Sequence, residues 1–206
     1  MIGTSKRFPV LAAFLALALA AAGCAGHHAR IKGEEEGTLV DVKRGGTETW
    51  KELVRKSVGE LFAANRERFA DEAERPSIAF VGVENRGSEE LGEFRGAVNA
   101  EIATAVVNSG IYTAVSVRAV EAALRETGVR EASDLVVARH REAFLACLNR
   151  DGIAPKYLLF ATATTMTSRG NREKERTYQL TLELMNSSSG QTVTQKLVEV
   201  RKAYDE

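Results

Sequence analysis

Ile78-Ala79-Phe80-Val81-Gly82-Val83, led in by Pro76 and closed by Asn85-Arg86-Gly87-Ser88, is the stretch that decides the fold. Its apolar residues are consecutive, so both faces of an extended chain are apolar, and such a strand lies mid-sheet with both sides covered. The covers can be read on either side of it. Upstream, Thr49-Trp50-Lys51-Glu52 fits a capping box. Trp50, Leu53, Val54, Val58, Leu61 and Phe62 then recur at helical spacing, predicting an amphipathic helix to about Asn65. The charged stretch from Arg66 to Arg75 reads as a loose continuation or a connector. Downstream, Ser88 is a candidate N-cap, and Leu91, Phe94, Val98, Ile102, Ala105 and Val106 mark one face of a second helix ended by Gly110.

Ile111 to Val115 then reads as a short strand. Ser116 reads as the cap of a short helix carrying Val117, Val120 and Leu124, which Gly128 stops. A further helix is expected from about Ser133 to Arg150, burying Val137, Phe144, Cys147 and Leu148. After Pro155 the pattern changes. Tyr157 to Met166 is apolar and Thr-rich, while Tyr178, Leu180, Leu182 and Leu184 alternate with polar residues, predicting an antiparallel pair joined by the polar link from Ser168 to Glu175. A turn at Asn186-Ser187-Ser188-Ser189-Gly190 leads to a last, edge strand from Thr192 to Val200. Right-handed crossovers make the two early strands parallel. The expected fold is therefore a single α/β domain over residues 49–206. Its mixed sheet has about five strands, two parallel ones and a C-terminal antiparallel meander, packed by helices.

The first 48 residues carry no such pattern. Lys6 and Arg7, an apolar run from Phe8 to Ala22, and small residues up to Gly23 form the layout of a secretory signal over residues 1–23. The run is shorter than the roughly 20 residues a spanning helix needs. Ala21-Ala22-Gly23-Cys24 resembles the lipobox of bacterial lipoproteins, which implies acylation at Cys24 and attachment to a membrane through those acyl chains. Ala25 in the next position implies delivery to the outer membrane, on its periplasmic face. Residues 24–48, with five glycines and the acidic run Glu34-Glu35-Glu36, read as the anchor and a flexible tether with a reach of at most about 80 Å.

Removing residues 1–23 takes two of the 28 basic side chains and none of the 28 acidic ones, leaving 26 against 28. A near-neutral domain has no excess charge for a phosphate backbone, so no nucleic-acid partner is expected. With Cys24 acylated, Cys147 has no cysteine to pair with, and the core alone must hold the fold.

Four segments, in order, resemble the globular domain of the LpoB family. They are Pro76 to Arg86, an apolar strand ending in Asn-Arg; Gly110-Ile111-Tyr112-Thr113-Ala114-Val115-Ser116; Lys156-Tyr157-Leu158-Leu159-Phe160; and Ser189-Gly190-Gln191-Thr192-Val193 at the closing hairpin. The resemblance implies a mixed α/β domain like the N-terminal domain of TolB. It also implies an outer-membrane lipoprotein whose partner is a bifunctional penicillin-binding protein, a peptidoglycan synthase that it activates. A tether of about 80 Å is short for crossing from one membrane to a synthase in the other. That favours a second reading, an accessory lipoprotein of an outer-membrane secretion assembly of the curli-secretion kind.

Asn85, Arg86 and Gly87 lie just past the carboxyl end of the central strand, where α/β sheets present partner contacts, so they are the candidate contact loop. The plainer account of the same residues is a turn that uses an unusual backbone angle. His27 and His28 lack further nearby ligands, and no metal or other cofactor is expected. His140 and Cys147 share a helical stripe but stand about 10 Å apart along it, too far to form a nucleophile and base. Without a phosphate loop or a nucleophile elbow, neither catalysis nor a small-molecule substrate is expected.

Overall fold

Consecutive apolar residues at 78–83 do form a strand that is buried on both faces. The computed structural model describes residues 29–31, 47–70, 75–87, 91–92, 94–169 and 173–205. Within them, β1 (Ala29–Ile31), β2 (Ser77–Asn85), β3 (Thr113–Ala114), β4 (Tyr157–Arg169), β5 (Glu173–Asn186) and β6 (Thr192–Asp205) make one sheet in the order β1-β6-β5-β4-β2-β3. β2 runs parallel to both β3 and β4, and the other pairings are antiparallel. The mixed sheet, with the two early strands parallel and a C-terminal meander, is the expected one, and β4, the first strand of the meander, is parallel to β2 as well.

Among the described residues four α-helices cover it: α1 (Thr47–Ala70), α2 (Phe94–Asn108), α3 (Val117–Thr127) and α4 (Ala138–Arg150). Ile78, Phe80 and Val83 point to α1 and α2, joining Leu53, Leu61, Ile102, Tyr178, Leu180 and Leu182 in the larger core. Ala79 and Val81 point the other way, to a smaller core with Val120, Leu135, Phe144, Leu148, Leu158 and Phe160. The step from Phe80 to Val83 on one face is odd for a period of two. A bulge accounts for it: the β2–β4 register shifts between these residues, and Gly82 there has φ +113°, a conformation that side chains rarely adopt.

All six apolar residues predicted for α1 are buried, and the helix runs on to Ala70, bringing Phe69 against Tyr112 and Tyr157 at 5.6 and 5.3 Å between ring centroids. Among the described residues no helix is long and apolar enough to cross a membrane.

Several boundaries differ from the expectation. Ser88 lies outside the described residues, and α2 starts at Phe94. Ser116 occupies the N-cap of α3 without a side-chain cap bond, whereas Gly128 ends that helix in the left-handed conformation as expected. The helix expected from Ser133 to Arg150 is broken into a 3₁₀ turn (Ala132–Val136) and α4, and Val137 at the break is 48% exposed rather than buried. The ends of the Ser168–Glu175 link are strand, not loop: Ser168 pairs with Glu175 and Arg169 with Lys174, so β4 and β5 both extend into it. Polarity misled here, because this part of β4 has already left the core, with Met166 46% exposed. Finally, Ala29–Ile31, within the expected tether, pairs antiparallel with Lys202–Tyr204, so β6 is not an edge strand there and the sheet has six strands.

That corner contains the least comfortable charge in the core. Lys202 is fully buried, its Nζ has no hydrogen-bond partner and lies 5.7 Å from the Tyr178 ring centroid. Burial holds its pKa below the usual lysine value, against the opposing pull of Glu52. A buried charge left without a partner costs stability. Lys202→Met is expected to stabilise the domain by about 1 to 2 kcal/mol in chemical denaturation.

The pH dependence has a definite sign. With its folded pKa depressed, Lys202 binds its proton more weakly in the folded chain, so stability rises with pH from the folded pKa up to the unfolded one near about 10. Tyr112 acts oppositely above about pH 10, because burial, the first of its causes, raises its folded pKa and the unfolded chain ionises first. Relative to Lys202→Met, the wild-type protein should therefore gain stability over the alkaline range as pH rises toward about 10. A constant difference across that window would refute the assignment.

Candidate functional site

The carboxyl end of β2 is a topological switch point. The chain leaves β2 for β3 on one side and returns to β4 on the other, and open α/β sheets place functional surfaces beyond such an end. Two features are built there.

The first is the turn at Asn85, Arg86 and Gly87. Arg86 N–H donates to the Ala163 carbonyl at 2.8 Å, and Gly87 N–H to Asn85 Oδ1 at 3.1 Å, closing a local turn. Arg86 projects into solvent with its side chain 62% exposed and pairs with Glu84 at 3.2 Å. Glu84 also accepts from the backbone N–H of Ser133 at the 3₁₀ turn, which ties the end of β2 to the α3–α4 connection. Gly87 is not there for an unusual backbone angle, since its φ lies outside the left-handed region. A Cβ on it would stand 2.4 Å from the backbone nitrogen of Thr165, so β4 leaves room only for hydrogen. The plainer account of this turn is thus corrected: close approach, not dihedral freedom, selects the glycine.

The second is a cleft of about 170 Å³ on the β3 side of β2, between α2 and α3, lined by Gly82, Arg95, Asn99, Val117, Glu121 and Arg130 among others. β3 pairs only with Ser77 and Ile78, so β2 runs on past it without a strand neighbour on that side among the described residues. Side chains of α2 take the strand's place. Asn99 Oδ1 accepts from Val83 N–H at 3.0 Å, and Arg95 gives two bonds to the Val83 carbonyl at 3.0 and 2.9 Å. These two residues were not singled out from the sequence. Their positions, on a polar face one turn apart, read as ordinary surface.

The structure separates the other candidates. His140 faces the carbonyl of Asp134 at 3.3 Å, whereas Cys147 Sγ lies 3.2 Å from Glu126 Oε2 and 3.1 Å from Arg150. Cys147 is partly buried and packs against the smaller core. Hydrogen bonds from Arg150 and then Cys147 hold the Glu126 carboxyl below its usual pKa range. His140 and Cys147 therefore form no dyad. His27, His28 and Cys24 lie outside the described residues.

Comparison with known proteins places this geometry. No curated protein matches the chain. Among solved structures, the LpoB C-terminal domain from Salmonella enterica is 17% identical, covers 73% of this chain and 96% of its own, and has a TM-score of 0.50. The NMR structure of Escherichia coli LpoB is 14% identical, covers 97% of this chain and 83% of its own, and has a TM-score of 0.50. At these identities the structures show a shared fold. The family model "Peptidoglycan-synthase activator LpoB" matches residues 49–200, from the first turn of α1 into β6, and the chain therefore belongs to the LpoB family of peptidoglycan-synthase activators.

Proposed function

We propose that this protein is exported, cut after Gly23 and acylated at Cys24, and that it works from the periplasmic face of the outer membrane. Its domain docks on a bifunctional penicillin-binding protein and raises that enzyme's rate of peptidoglycan synthesis. It does so as a binding protein, with no catalysis of its own, no metal or cofactor and no small-molecule substrate. The observation that carries this reading is the family match over residues 49–200, joined to the lipobox-like Ala21-Ala22-Gly23-Cys24.

Pull-down of the intact lipoprotein from solubilised membranes of its host is expected to recover a glycosyltransferase-transpeptidase. Adding the protein to that synthase should raise its glycan-polymerising rate. Recovery of no synthase, together with an unchanged rate, would sink the reading.

The loop at Asn85, Arg86 and Gly87 is the proposed contact. It is anchored to β4 and presents an exposed cation beyond a sheet end. Arg86→Glu is expected to weaken synthase binding about tenfold, the order of effect for reversing one interfacial charge. Its melting temperature should barely move, because an exposed ion pair contributes about 0 to 1 kcal/mol. Unchanged affinity by surface plasmon resonance would move the contact elsewhere.

A further inference from the structure

We propose that β1 is a releasable latch that sets the reach of the domain from its membrane. The proposal rests on acylation at Cys24. Ala29 is only five positions beyond Cys24, while Thr47, where α1 begins, is 23 beyond it. At roughly 3.3 to 3.6 Å per residue, the anchored chain spans at most about 18 Å when β1 is paired and about 80 Å when it is not. With β1 paired, the β6 end of the sheet is held against the bilayer surface. With β1 released, the domain gains about 60 Å of travel toward the opposite membrane.

Three observations make the pairing suited to release. It is three residues long, Ala29, Arg30 and Ile31 against Tyr204, Ala203 and Lys202, and it sits at the end of the sheet, where β1 has a strand on one side only. Short terminal strands belong to the parts of a fold that open first. Three buried polar atoms without hydrogen-bond partners belong to residues linked to this pairing through Lys202: Lys202 Nζ, Tyr178 Oη and Thr49 Oγ1. Lys202 is the register partner of Ile31, its ammonium lies over the Tyr178 ring, and Trp50, next to Thr49, packs edge-on against the same ring at 5.8 Å. Releasing β1 uncovers the edge of β6 that carries Lys202, so water gains access beside a donor that the paired form leaves unmet. Partner binding at a distance can then draw the equilibrium to the long form by mass action.

Hydrogen exchange on the full acylated protein in detergent tests the latch directly. Amides of 29–31 are expected to exchange more slowly than a random coil but at least about 100-fold faster than those of Leu180 to Leu184 in β5. Protection equal to β5 would overturn the latch, and so would no protection at all. The functional arm uses Arg30→Cys with Ala203→Cys, register partners, in a Cys147→Ser background that keeps Cys24 for acylation. Oxidation should close this pair; failure to close it shows that β1 does not pair, and overturns the proposal.

In cells, the oxidised form should lose synthase activation, reduction should restore it, and about twenty Gly and Ser residues inserted after Ala25 should restore it without reduction. Full activation by the oxidised form would overturn the latch. With both proteins free in detergent, where reach is irrelevant, the locked and open forms should activate equally. If neither activates there, the proposed function has failed, and hydrogen exchange still decides the latch.

Discussion

Arg141→Ala is expected to lower the stability of the domain by about 3 to 5 kcal/mol, most of the margin of a protein of this size. Arg141 is only 6% exposed. Its Nε donates to the Ser187 carbonyl at 3.0 Å, and its Nη1 to the carbonyls of Leu135 and Val136 at 3.2 and 3.0 Å. One guanidinium therefore joins α4, the end of the 3₁₀ turn and the β5–β6 turn. Each bond from a charged donor contributes roughly 1.5 to 3 kcal/mol, and removing the donor strands three carbonyls in a place water does not readily fill. The losses overlap, because all three bonds leave together. The site is also closely packed, since a Cβ on Gly190 would stand 2.7 Å from the guanidinium. Truncation thus leaves a cavity as well as unpaired acceptors. Arg141→Lys should recover less than half the loss, as a point ammonium cannot span three carbonyls that a planar fork reaches. Urea denaturation of the two variants checks both claims, and a loss below about 1 kcal/mol for alanine would show that the carbonyls find other partners.

The same arginine explains where the sequence was hard to read. From Ser133 to Arg150 the apolar spacing suits one continuous helix, yet Arg141 draws the Leu135 and Val136 carbonyls to itself, and the helix restarts beyond Val137. Nothing in a charged residue on a helix announces that it will be buried by a turn some 46 positions later, at Ser187. Two β-branched residues in succession, Val136 and Val137, were the available sign, since they weaken a helix at that point. Local patterns were sufficient where burial is periodic. Trp50 to Phe62, Tyr178 to Leu184 and the doubly apolar β2 all sit as their spacing requires. Spacing is silent on which strands become neighbours, so the parallel pairing of β2 with β4, some 80 residues apart, could not be read. Silence of the same kind hid Ala29–Ile31, three residues too few to show any period. As for the site, the strand end was legible as a place, because turn-forming residues followed an apolar run. Arg95 and Asn99 were not, because they serve a backbone bulge that only the folded sheet creates.

Gly87→Ala should be the costliest small change on the surface, at about 2 to 4 kcal/mol. The added methyl would lie 2.4 Å from Thr165 N, 3.1 Å from its Cβ and 3.2 Å from its Cα. None of these atoms belongs to a side-chain end that can swing aside, and Thr165 is fixed in β4 opposite Tyr178. The turn must therefore lift away from β4. Lifting it lengthens the Arg86 N–H bond to the Ala163 carbonyl, now 2.8 Å, and disturbs the exchange between Gly87 and Asn85. Thermal denaturation should show a drop of several degrees. Because the strain is local to the strand end, the smaller core around Phe144 and Leu148 should keep its hydrogen-exchange protection, while amides at 85–87 and 163–165 lose theirs. The contrast with Arg86→Glu then separates shape from charge at the proposed contact. If the loop docks through its backbone form, Gly87→Ala weakens synthase binding with Arg86 intact. If it docks through the guanidinium alone, Gly87→Ala costs stability but leaves affinity, measured well below the melting temperature, nearly unchanged.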